Sequence, residues 1–111
     1  MLAAQHRMRS PRDFQFVRRN GKKVLAPGLV MHVCPGMYGS SPSLVGLTVG
    51  KDCGNAVERH RVSRRIRAAL RPVVQRLPPG TGLVVKALPQ IHVVNLCPDL
   101  ITESLLVKVG P

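Results

Sequence analysis

The sequence predicts a small mixed α/β domain built to meet a polyanion. Helical and strand signals alternate along 111 residues, which favours one domain with a modest sheet. Hydrophobic residues make up 44% of the chain, enough for a core without disulfide or metal staples. The 17 Lys+Arg against 5 Asp+Glu give a formal charge of +12. Solubility alone asks for a net charge of about 2–8, so the excess points to nucleic acid ahead of an anionic membrane.

The elements follow in order. Ser10-Pro11-Arg12-Asp13 has the form of a helix start, with Ser as N-cap, Pro at the first helical position and an acid in the first turn. Phe14 and Val17 continue it at helical spacing, and Asn20-Gly21 closes a helix of about ten residues. Leu29 to Cys34 is an apolar run before Pro35-Gly36 and reads as a strand. Met37 to Ser43 is a Gly/Ser/Pro loop, and Ser43 to Val49 a second uncharged strand. Asp52-Cys53-Gly54-Asn55 is a turn into a long helix, with Arg71-Pro72 expected to kink or stop it. Leu83 to Leu88 forms a third strand ahead of Pro89, and a last helix starts at Pro98-Asp99. The expected order is α-β-β-α-β-α.

Other classes drop out. No apolar run reaches the roughly 18–20 residues of a bilayer span. Met1 to Arg7 lacks the apolar core of a signal peptide. Cys34, Cys53 and Cys97 are odd in number and form no Cys-x-x-Cys pair, which suits a reducing compartment. A cytoplasmic protein is expected, with residues 1–111 as a single domain that binds nucleic acid and residues 1–9 as its flexible basic start.

The cations cluster. Residues 7–23 hold seven and residues 51–76 hold eight, leaving only Lys86 and Lys108 elsewhere. Twelve of the seventeen are Arg, whose fork pairs with phosphate and whose plane stacks on bases. On a helical wheel from Val57, Val62, Ile66, Ala69, Leu70 and Val73 share a stripe between about 120° and 220°. His60, Arg64, Arg67 and Arg71 share another, at about 280–340°, with Arg61 and Arg65 beyond it. Like charges three and four apart repel, so this face is poorly explained as a stabilising device, and a facing polyanion relieves it. Arg59 falls on the core side and needs a wet cleft or an anion.

Catalytic constellations are missing from the sequence. Asp13, Asp52, Glu58, Asp99 and Glu103 are too few and too scattered for a metal nuclease. His32 and Cys34 share a strand face but have no further ligand nearby in sequence, so no metal site is expected.

Val45-Gly46-Leu47-Thr48-Val49-Gly50-Lys51, followed by Gly54-Asn55-Ala56-Val57 and Arg59-His60-Arg61-Val62-Ser63-Arg64-Arg65-Ile66-Arg67, resembles the signature of the bacterial ribonuclease P protein subunit. Asp13-Phe14 in a first helix and Gly21 before a strand resemble it too, so the likeness spans residues 7 to about 90. His60 stands where the family usually has Asn, and Ser63 where it usually has Lys. Arg18 replaces a frequent second aromatic, with Phe16 two places earlier, and His32 replaces an aromatic on the first strand.

The resemblance implies an α/β two-layer sandwich with a small central sheet and a left-handed β-α-β crossover, against the right-handed expectation for such units. It implies the accessory protein of an RNA enzyme that removes the 5′ leader of precursor tRNA. The RNA carries the active site and Mg²⁺, and the protein binds no cofactor and holds no catalytic residue. Its partners are then the catalytic RNA and precursor tRNA, with no membrane. Lys51, Asn55, Arg59, His60, Arg61, Arg64, Arg65 and Arg67 are the expected contacts to RNA, although capping alone explains Asn55 equally well. Arg12, Phe14, Phe16 and His32 are the candidates for the leader cleft, with Arg59 expected as its wall from the long helix and one of the two rings expected in the core instead. A ribosomal or other structural RNA-binding protein is the alternative reading. Reconstitution with a catalytic RNA separates the two.

Overall fold

The computed structural model describes residues 6–109. Its elements are α1 (Pro11–Asn20), β1 (Lys22–Ala26), β2 (Leu29–Cys34), β3 (Leu44–Thr48), α2 (Ala56–Arg76), β4 (Gly82–Ala87) and α3 (Pro98–Val109), with short 3₁₀ turns at Lys51–Cys53 and Pro89–Val93. The predicted order holds, with one strand more. β1 opens on two lysines and buries only Val24, so it carries almost no apolar signal. Exposed lysines are what a sheet edge needs to resist pairing with another chain. Pro27-Gly28 joins β1 to β2 as a tight antiparallel hairpin.

The sheet order is β1-β2-β4-β3. β2 and β4 are antiparallel, whereas β3 and β4 run parallel and are joined through α2. Alternation along each strand separates two faces. One face presents Met31, Val33, Leu83, Val85 and Ala87 to α2 and α3, in a core completed by Val62, Ile66, Leu70, Val73, Ile91, Ile101 and Leu105. Each Leu or Ile fully buried there contributes about 1.5–3 kcal/mol. The other face carries α1 over part of its width, where Val17 and Met8 pack with Val84 beside the half-buried Phe14. The sandwich thus has its full second layer on one side and a single short helix on the other.

One expectation is corrected. α2 runs through Pro72 to Arg76 instead of ending at Arg71. Pro72 lies on the exposed side, and Ala68, four residues earlier and deprived of a donor, is exposed to water. Buried Val73, Val74 and Leu77 hold the last turn to the core. In the described part of the basic start, the chain runs beside β3. Arg7 bridges to Val45, the Met8 amide donates to the Val45 carbonyl at 2.8 Å, and Met8 is buried. Residues 1–5 lie outside the described residues.

Candidate nucleic-acid interface

The turn into α2 is built by its own sequence. Gly54 sits at φ 118, a left-handed conformation that side chains avoid, and a Cβ there would lie 2.7 Å from a Glu58 carboxylate oxygen. Asn55 then caps the helix. Its Oδ1 accepts from the Glu58 amide at 2.9 Å, while Glu58 Oε1 accepts from the Asn55 amide at 3.0 Å. Asn55 therefore has a complete structural explanation. The reciprocal cap sets where α2 begins and so where each following arginine points.

His60, Arg61 and Arg64 stand exposed on α2, and Lys51 is exposed in the preceding turn. Arg65 does not join them, contrary to expectation. Its guanidinium donates to the Ile91 carbonyl at 3.0 Å and to the Val94 carbonyl at 2.9 Å. It clasps the segment after β4 against α2, and a His92 ring nitrogen lies 2.5 Å from the Cys53 carbonyl oxygen to tie the same segment to the turn. Arg59 is half-buried, and its Nε is shielded from solvent without a hydrogen-bond partner.

Arg67 leaves the α2 face for the β3 edge. There it lines an open cleft of about 300 Å³ with Arg7, Arg9, Phe14 and Leu47. Arg7 Nε is also buried and unpartnered. Phe14 forms part of the floor because residue 46 is glycine. A Cβ at Gly46 would collide with the Phe14 ring. Three guanidinium groups, no carboxylate and one ring suit a phosphate beside a base.

A second cationic surface is the half of the sheet that α1 leaves uncovered. Register places Lys23, His32, Val84 and Gly46 in one row, and Leu25, Val30, Lys86 and Thr48 in the next. α1 covers Val84 and Gly46, and Arg18 reaches from it to Thr48, its Nη2 donating to Oγ1 at 3.3 Å. Burial, then Lys23 and Arg18, push the His32 imidazole below its ordinary value of 6.5. Arg18, Lys23 and Lys86 were missed from sequence. Their signal is alternation within the strands, legible only once the register is known.

The expected leader cleft is not assembled as drawn. His32 lies on the α1 side of the sheet, whereas Arg59 belongs to α2 on the opposite side. Phe14 packs on the sheet, but Arg12 and Phe16 are exposed and line two open pockets, one along the outer side of α1 with Arg19 and one against Met37 and Tyr38. Phe16, at 47% exposure, is not core either. Among the described residues no group of three or more His, Cys, Asp or Glu lies close enough to hold a metal, and no helix is long and apolar enough to cross a membrane.

A small mixed α/β scaffold with arginine surfaces on both layers defines an RNA-binding protein. The model of the Ribonuclease P family matches residues 2–103, and the chain belongs to that family. It is similar to the ribonuclease P protein component of Mycobacterium sp. (strain KMS), with 43% identity over 80% of this chain and 75% of that one. The component from Nocardioides sp. is 39% identical over 99% of this chain and 96% of its own. Among solved structures, the RNase P protein from Thermotoga maritima superposes with a TM-score of 0.69 at 24% identity, covering 95% of this chain and 97% of that one. The Staphylococcus aureus protein gives 0.68 at 24% identity, covering 94% and 92%. At that identity these structures speak to the fold.

Proposed function

We propose that this chain is the protein subunit of a ribonuclease P holoenzyme. It binds the catalytic RNA and the 5′ leader of precursor tRNA and assists removal of that leader. The observation that carries the reading is the capped α2 face of His60, Arg61 and Arg64, exposed and without an ion pair among the described residues, in a chain of charge +12. Two large RNAs repel, and a cationic protein between them replaces part of the Mg²⁺ otherwise needed for screening. The residues of this chain bind and orient. Phosphodiester hydrolysis and its Mg²⁺ belong to the RNA. The α2 stripe and the Arg7/Arg9/Arg67 cleft take phosphates of the catalytic RNA, and the open sheet face around His32 takes the extended leader. The protein acts in the cytoplasm.

Reconstitution with a bacterial catalytic RNA and a precursor tRNA is the test. The protein alone leaves the substrate intact, and adding it to the RNA raises cleavage most at low Mg²⁺. Cleavage by RNA-free protein, or no stimulation at any Mg²⁺ concentration, overturns the reading.

A further inference from the structure

Phe16 is the aromatic that the cleft and the core both leave unused. It is 47% exposed on the outer side of α1, pointing away from the sheet that buries Val17. Residues 12, 16 and 19 fall within about 60° of one another on the helix, so two arginines flank the ring. Both line shallow pockets together with Phe16. Asp13 shares a pocket with Arg12 and Phe16 but makes no ion pair there, and its Oδ2 accepts from the Tyr38 hydroxyl at 2.9 Å. Burial and that bond push the Tyr38 phenol upward, which keeps it a donor. The result is a half-exposed ring between two guanidinium groups that form no ion pair among the described residues.

We propose that the outer face of α1, formed by Arg12, Phe16 and Arg19, is a second strand-binding surface that stacks an unpaired base of the precursor's 5′ leader. This rests on the proposed function and extends it to leader nucleotides upstream of those on the sheet face. The chemistry selects the occupant. An apolar protein partner does not suit a ring hemmed by cations. A base paired in a duplex cannot offer its face to Phe16, whereas the leader is single-stranded along its length. Arg18 supplies continuity, because it rims the open sheet face from the same helix through Thr48. A strand leaving that face crosses α1, about 10–12 Å wide with its side chains, to reach Phe16. Stacking holds any base, so the surface lengthens the stretch of leader that is held without reading sequence.

The holoenzyme provides the test, with dissociation constants for mature tRNA and for precursors with short and long leaders. Phe16→Ala and Phe16→Leu weaken long-leader binding about tenfold, the order of one missing stack. Phe16→Tyr keeps it, and short-leader and mature tRNA binding do not change. The sequence contains no Trp, so Phe16→Trp adds a single indole reporter. Its fluorescence is quenched by single-stranded oligoadenylate and not by a duplex of equal length. If Phe16→Ala retains the wild-type leader dependence, or the indole ignores the single strand, the inference fails while the proposed function stands. If Phe16→Ala weakens mature and precursor tRNA equally, the ring serves the catalytic RNA and the inference is likewise overturned. A wild-type holoenzyme indifferent to leader length removes both.

Discussion

Arg65 and His32 show how little a residue's type says about its task. Arg65 shares a cationic helix with Arg64, yet its fork closes on two carbonyls of the segment after β4. Arg65→Met strands both carbonyls and costs about 1–3 kcal/mol. Urea unfolding measures that loss, and the salt dependence of RNA binding stays at the wild-type slope. A stable variant with a shallower slope would return Arg65 to the RNA face. His32 is held below 6.5 by burial and by two neighbouring cations. The unfolded chain therefore takes up a proton first as pH falls. The stability that a neutral His32 maintains is complete above about 6.5 and declines as pH descends through the lower folded value. His32→Gln removes that part of the pH dependence. An NMR titration places the free imidazole below 6.5 and moves it upward when a leader oligonucleotide brings phosphate beside Lys23 and Arg18. A midpoint at or above 6.5 in the free protein contradicts the packing described.

α2 is the element where local signals and function coincide. The Gly54 turn, the Asn55 cap and the apolar stripe are all short-range patterns, so the helix start and its buried side were legible in advance, whereas the paths of Arg65 and Arg67 were not. The far end of α2 was not legible either, because a proline rule knows nothing of Val73, Val74 and Leu77 anchoring the last turn. Arg61 and Arg64 are exposed and clear of the core. Arg61→Ala with Arg64→Ala should leave the melting temperature unchanged. It should reduce the slope of log K for the catalytic RNA against log salt by about 0.7–0.9 for each phosphate left unpaired. An unchanged slope would make the pair an ordinary solvated surface. β1 is the opposite case. Its two lysines and single buried valine are set by its place at the sheet edge, and a strand defined by its neighbours leaves a faint mark on its own sequence.

At the scale of the whole molecule, the cations occupy separate surfaces: α2 on one layer, the β3 edge, and the α1 side of the sheet. Under the proposed function, these separate surfaces hold two RNAs at once. The holoenzyme should prefer precursor over mature tRNA by a larger ratio than the RNA alone, and a leader cut to its last nucleotides should erase the gain. Dissociation constants with and without protein check this. Equal tightening of both tRNAs would confine the protein to the catalytic RNA. Composition, charge and turn chemistry are local properties, and they suffice for the α/β class, a polyanion as partner, the α2 signature and the family. Tertiary structure alone decided which arginines are free. Arg65 turns inward, Arg67 rounds the β3 edge, and Phe16 and His32 part company across α1. Those outcomes depend on strand register and on which face of the sheet each helix covers. Both are set by contacts between residues distant in the chain, which no local pattern records.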